Sequence, residues 1–193
     1  MERDRQDESS RIVEIGKSSS RSMEEVLDRQ REAFLAEGPP SAEVRLDRIE
    51  RAISMVGDNR RQIVDALTSD FGERSRLWSE LADVGGSLSA LTYARRHVRE
   101  WMQPERRKVD VLLKLAGLGA RVEYEPLGVV GLFGPWNVPI SLVLAPLAEV
   151  LAAGNRAMVK PSELTPACSD LVARMISGAF DETEVAAVTG GPE

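Results

Sequence analysis

Two short polar clusters carry the side chains of this sequence best placed for chemistry: Asn137, behind Gly134-Pro135-Trp136, and Lys160 with Ser162 and Glu163. Each follows an apolar run of strand type, and a long apolar stretch joins them. That is the pattern of a nucleotide-binding crossover, in which the ligand lies beyond the carboxyl ends of the strands. A lysine beside a carboxylate suits a diol, because the ammonium donates and the carboxylate accepts. A plainer reading makes Ser162 and Glu163 a helix N-terminal cap, which leaves Lys160 unexplained. Asn137 has its own plain reading, a turn asparagine ahead of a helix start, and Trp136 could equally be a core aromatic. Cys168, in Pro166-Ala-Cys-Ser, is the sole cysteine. A lone cysteine buried in a helix acts more often as a small hydrophobe than as a nucleophile, so it is not assigned that role. His97, the sole histidine, lies in Arg95-Arg-His-Val-Arg on an exposed-looking helix, without a second histidine to share a metal. Solvation is the role expected of it.

The elements that position these residues must come from 193 residues with 42% hydrophobic and 29% charged side chains, an ordinary balance for a globular chain. The net charge of −6 offers no basic excess for neutralising phosphates, which argues against a nucleic-acid partner. One cysteine permits no intrachain disulfide and fits a reducing compartment. The first twenty residues lack the apolar core of a signal peptide. The longest apolar run, from Val138 to Ala153, is interrupted by Pro146 and Glu149 and is too short to span a membrane. A cytoplasmic protein without a membrane segment is expected.

Residues 1–21 are polar, serine-rich and aperiodic, and are expected to be a disordered tail. Residues 22–107 have helical period. Met23, Val26, Leu27 and Phe34 form one stripe that ends at Gly38-Pro39-Pro40; Ser41 caps a second helix with Leu46, Ile49, Ile53 and Val56 inward. A third helix runs from about Asn59 to Phe71 and is closed by Gly72. A fourth, the longest, carries Leu77, Leu81, Val84, Leu88 and Leu91 and approaches its end near Trp101. Gly85-Gly86 inside it costs roughly 1 kcal/mol per glycine relative to alanine, which a close helix crossing would explain. Residues 108–193 change character. Strands are expected at Arg121–Glu125, Gly128–Phe133 (apolar enough to be buried), Arg156–Val159 and from Val185, with helices at Pro139–Ala153 and Leu164–Ser177, the latter ended by Gly178. Four helices followed by βαβαβ make an α/β chain with a parallel sheet.

Gly128-Val-Val-Gly and Gly134-Pro-Trp-Asn-Val-Pro, then Ala153-Gly-Asn and Lys160-Pro-Ser-Glu-Leu-Thr-Pro, resemble the NAD(P)-dependent aldehyde dehydrogenase superfamily in order and spacing. Ile63-Val-Asp-Ala-Leu and Asp70-Phe-Gly are similar to its amino-terminal helical part and lean toward the coniferyl-aldehyde and fatty-aldehyde branch. The resemblance runs from about Ser22 onward. It implies a Rossmann-like sheet, of which 108–193 would be the first half, with 22–107 as the helical layer of the same cofactor-binding domain. It also implies roles. Asn137 would donate its side-chain amide to the oxyanion formed when a cysteine thiolate attacks an aldehyde. Lys160 and Glu163, with Ser162 between them, would hold the adenosine ribose. Phe133, Gly134, Pro135 and Trp136 would line the nicotinamide side. NAD is favoured over NADP, because Glu163 would repel a 2′-phosphate. A Gly-x-Gly-x-x-Gly fingerprint is missing, as that family leads one to expect.

The same resemblance implies that the nucleophilic cysteine, the glycine-rich cofactor loop and the general-base glutamate belong to later segments outside these residues. The chain is therefore expected to be the amino-terminal part of an aldehyde dehydrogenase, without the catalytic domain and inactive alone. The complete protein would oxidise an aldehyde and form homo-oligomers through a later strand. The other expectation is a non-catalytic remnant or interaction module. A helical adaptor fits less well, since heptad-like spacing lasts through only one helix.

Overall fold

A computed structural model describes residues 22–191. The tail expected over 1–21 lies outside them. Four helical stretches come first. Helix α1 (Met23–Glu37) opens with a capping box, in which Ser22 accepts from Glu25 N and Glu25 accepts from Ser22 N, and it closes at Gly38 with φ 69°. Of the stripe expected on it, Val26 is buried, Leu27 and Phe34 are half-buried, and Met23 is exposed. Helix α2 (Ala42–Asp58) is capped by Ser41, and α3 (Arg60–Phe71) ends at Gly72 with φ 64°.

The fourth stretch is not one α-helix. A single turn, α4 (Arg76–Ser79), passes into a π-helical turn (Glu80–Gly85) and then into α5 (Gly86–Trp101). The extra residue of the π turn rotates what precedes it off the expected stripe. Leu77 and Leu81 are exposed, whereas Val84 and Leu91 are buried, and Asp83 is turned fully inward. The expected close crossing is found at Gly86, where an added Cβ would come within 2.7 Å of Ser141 Oγ.

A small antiparallel hairpin follows, β1 (Glu105–Arg107) with β2 (Ala120–Val122), enclosing the short helix α6 (Val111–Leu115). Three charged residues in succession gave β1 no strand signal. Strands β3 (Val129–Phe133), β4 (Arg156–Lys160) and β5 (Val185–Ala187) form a parallel sheet in that order, linked by α7 (Ser141–Ala152) and α8 (Pro166–Ala179). The buried central strand is β4. Its neighbour β3, apolar enough to be expected buried, is only partly covered in the described residues. Gly178 lies inside α8, and Phe180 caps that helix instead.

The core joins Ile49, Leu67, Leu91, Leu144, Leu147, Val159, Leu171 and Ile176 into one cluster across helices and sheet. Polar bonds tie the helical layer to the strands as well. Gln30, fully buried, donates to Ala157 O and Glu182 O, both at 2.9 Å. Arg48 bridges Glu37 and Glu184, each at 2.9 Å; Arg51 joins at Glu184 and Arg156 at Glu37. Isolated buried charges would be costly, and these arginines and glutamates pair as a group, although Arg48 Nη1 and Arg156 Nε are buried without a hydrogen-bond partner among the described residues.

Candidate functional site

Strands β3 and β4 run in parallel register from Val129↔Arg156 to Phe133↔Lys160, so the two polar clusters leave the sheet at the same carboxyl end. Gly134 N donates to Lys160 O at 2.8 Å and extends that pairing by one bond. No larger residue fits at Gly134. A Cβ there would collide with Val143 Cγ2 and stand 3.4 Å from Pro161 Cα. The turn toward Asn137, the start of α7 and the loop after β4 are thereby packed against one another.

Asn137 lies exposed in that turn. Its backbone carbonyl accepts from Arg74 Nη1 at 3.0 Å. Arg74 Nη2 pairs with Asp83 Oδ2 at 2.7 Å, and Asp83 Oδ1 accepts from Ile140 N at 3.2 Å and Ser141 N at 3.3 Å, at the head of α7. Burial pushes the Asp83 carboxyl above its usual range, against the opposing pull of the Ser141 N–H, the Arg74 guanidinium and the Ile140 N–H. Among the described residues the side-chain amide of Asn137 has no hydrogen-bond partner. Its two N–H donors are available to a ligand.

Lys160 Nζ donates to Glu163 Oε2 at 2.8 Å and to Pro161 O at 3.1 Å. That hydrogen bond from Lys160, followed by one from the backbone, holds the Glu163 carboxyl below its ordinary value. An exposed pair of this kind adds little stability and opens readily to a ligand that offers both a donor and an acceptor. Ser162 is buried and its hydroxyl accepts from Leu164 N at 3.2 Å. The plain cap reading of Ser162 and Glu163 does not describe how α8 starts. Thr165 is the N-cap position, and the first amides are taken by Asp70, whose carboxylate accepts from Ala167 N at 3.0 Å and Cys168 N at 2.8 Å.

Phe133 and Trp136 are 82% and 55% exposed, so neither is a core aromatic within the described residues. Pro135 is exposed beside them. Cys168 is buried; burial first, then the neighbouring Asp70 carboxylate, pushes its thiol well above the ordinary range. Its helix packs it into the core. His97 is half-buried rather than solvated: its ring lies 4.1 Å from Tyr93 and 5.8 Å from Trp101 by centroid, and Nδ1 is 2.8 Å from Tyr93 O. A cavity of about 810 Å3 is lined by Arg45, Tyr93, Trp101, Tyr124 and Glu149, and neither cluster contributes to it.

Arg74, Asp83 and Asp70 escaped the sequence reading. Each is a charged residue with no partner suggested by its neighbours in sequence, and only the fold shows that it reaches the turn or the helix start. Asp70-Phe-Gly is marked in sequence by its resemblance alone, and Asp83 carries no mark because a regular helix would leave it unremarkable.

The model of the aldehyde dehydrogenase family matches residues 4–193. Among curated proteins, the coniferyl aldehyde dehydrogenase of Pseudomonas sp. (strain HR199) is 51% identical over 167 residues, covering 86% of this chain and 34% of that protein. A probable coniferyl aldehyde dehydrogenase of Caulobacter vibrioides is 49% identical over 172 residues, covering 89% and 36%. The chain thus spans about a third of the length of the relatives it matches. Among solved structures, the substrate-bound state of Staphylococcus aureus AldH superposes with a TM-score of 0.84 at 25% identity, over 89% of this chain and 37% of that one. The glyceraldehyde-3-phosphate dehydrogenase GapN of Methanocaldococcus jannaschii, complexed with NADP, superposes at 0.73 with 21% identity, over 87% and 36%, a likeness of fold.

Proposed function

The chain belongs to the aldehyde dehydrogenase family, and from that premise we propose that it is the amino-terminal part of an NAD-dependent enzyme that oxidises an aldehyde to a carboxylic acid. In this reading residues 22–107 are the helical layer of the cofactor-binding domain, and 108–193 are the first half of its Rossmann-like sheet. Asn137 is the oxyanion donor. When a thiolate adds to an aldehyde carbonyl, negative charge collects on oxygen, and a fixed amide donor in a dry site lowers that barrier. Lys160 and Glu163 take the ribose diol of the adenosine, with Ser162 holding the loop between them. Phe133, Gly134, Pro135 and Trp136 line the nicotinamide side. NAD, when bound, supplies the hydride acceptor.

The observation that carries the reading is the meeting of both clusters at one carboxyl end, through Phe133↔Lys160 and the Gly134 N–Lys160 O bond, with the Asn137 amide left unpartnered. The residues present suit the cofactor, since a donor and an acceptor already stand 2.8 Å apart where a diol would enter. The nucleophile is not Cys168, whose thiol is buried and held protonated. We assign it, the glycine-rich loop and the general base to segments outside these residues, so the chain alone is inactive. Relatives named for coniferyl aldehyde, at about half identity, favour an aromatic aldehyde of that type. No described helix is long and apolar enough to cross a membrane, and we place the complete enzyme in the cytoplasm as a homo-oligomer.

Calorimetric titration of the purified chain with NAD tests this. Binding is expected, and Lys160→Met is expected to weaken it roughly tenfold, the loss of one charge-assisted hydrogen bond. Coniferyl aldehyde and NAD together should give no NADH. Turnover by the chain alone, or binding indifferent to Lys160, would overturn the assignment.

A further inference from the structure

We propose that Arg74 and Asp83 are positioning residues for the Asn137 amide, a device that rests on the reading of Asn137 as oxyanion donor. The side chain of Asn137 has no partner of its own among the described residues, so what fixes the place it reaches from is the backbone that carries it. That backbone is held at both ends of a five-residue segment by one carboxylate. Asp83 Oδ1 takes the amides of Ile140 and Ser141, and Asp83 Oδ2 takes Arg74, which reaches back to the carbonyl of Asn137.

A helix cap alone would need only the first of these arms. The second is separate construction. Arg74 follows the Gly72 turn, lies 4.9 Å over the Phe71 ring, and is 11% exposed along its side chain. Its route to the Asn137 carbonyl requires a fully buried acid at position 83 as pivot. The π turn supplies it. One extra residue between Glu80 and Gly85 swings Asp83 inward, and Ser87 Oγ donates to Asp83 O at 2.6 Å within the same distortion. π turns inside helices recur beside functional sites, and this one faces the turn that carries the donor.

The test is nuclear magnetic resonance on the 15N-labelled 193-residue chain, with the Asn137 side-chain amide pair identified by its loss in Asn137→Ala. In Arg74→Met the pair is expected to shift or broaden beyond its line width while the remaining core signals stay in place. Arg74→Lys, which keeps charge and stem, is expected to restore part of the shift. Asp83→Asn keeps an acceptor for Ile140 and Ser141 but loses the charge that holds Arg74, so it should move the Asn137 pair and leave the Ile140 amide near its place. Unchanged Asn137 signals in a folded Arg74→Met chain would overturn the proposal. So would loss of the whole folded spectrum in both Arg74 variants, which would make the bond a general structural one. These spectra read the turn whether or not the chain serves aldehyde oxidation, so a failure here is distinct from failure of Asn137 to act in catalysis.

Discussion

Arg74 donates to the backbone carbonyl of Asn137 at 3.0 Å from 63 residues away in the chain. Through that bond the helical layer reaches the turn that carries the proposed oxyanion donor. The layer is therefore more than a cover for the sheet. Asp83 and Asp70 act in the same sense, the first at the head of α7 and the second at the head of α8. Both helices that flank the central strand β4 begin on a carboxylate from the helical layer.

The crossing of α5 with α7 depends on the missing side chain at Gly86. Gly86→Ala should lower the melting temperature, because its Cβ would meet Ser141 Oγ at 2.7 Å and overpacking costs about 1–3 kcal/mol. In a Ser141→Ala background the same change should raise it by a few degrees, since alanine gains about 0.5–1 kcal/mol over glycine in a helix. Thermal unfolding of the four chains measures both signs.

The arginine–glutamate group joining α2 to the sheet predicts an acid dependence. Burial alone would raise the Glu184 carboxyl, but hydrogen bonds from Arg51 and Arg48 hold it below its ordinary value. A carboxyl with a lowered folded pKa gives stability that is present above its unfolded pKa and lost as pH falls through the folded one. Urea unfolding of the wild type should weaken through that acid range. Glu184→Gln should be less stable at neutral pH by about 1–3 kcal/mol, because Arg48 keeps Glu37 and Arg51 keeps Asp47 and Ala179 O but both lose a charge-assisted hydrogen bond, and it should lose part of the acid dependence.

Cys168 predicts kinetic protection. Its thiol is buried and held protonated, so alkylation by iodoacetamide at neutral pH should be slow in the folded chain and rapid in urea. Mass spectrometry of a time course follows it; fast labelling of the folded chain would reopen Cys168 as a candidate nucleophile.

Most of the sheet and both its crossovers were legible because apolar runs of different length separate strands from helices, and because Gly38, Gly72 and Gly154 end helices with positive φ. The polar clusters were legible for the same reason, since each follows a strand. What sequence could not show was the partner of each charge. Arg48, Asp83 and Arg156 carry no mark in sequence of being buried, yet all three are, because their ion-pair partners arrive from 9 to 136 residues away. The π turn was illegible too: Gly85 at its end weakens a helix without saying how the helix is distorted, and the other five residues have ordinary helical propensity. Strand β1 carries only charged residues and forms through pairing with β2.

Glu163 predicts the choice of cofactor. A carboxylate that is ionised and beside the ribose should disfavour a 2′-phosphate, so NAD should bind more tightly than NADP. Glu163→Gln should weaken NAD and narrow the difference between the two. Parallel calorimetric titrations read the ratio, and a wild-type preference for NADP would contradict the assignment.

The most direct measurement replaces the matching segment of the Pseudomonas sp. (strain HR199) coniferyl aldehyde dehydrogenase with this chain, to which it is 51% identical over 167 residues, and compares the chimera with its Asn137→Ala variant. The account predicts NAD-dependent oxidation of coniferyl aldehyde by the chimera. It predicts a loss of about 10²–10³ in kcat for the variant, with the KM for NAD little changed, as for removal of one oxyanion donor. An active chimera whose kcat is indifferent to Asn137→Ala would contradict it.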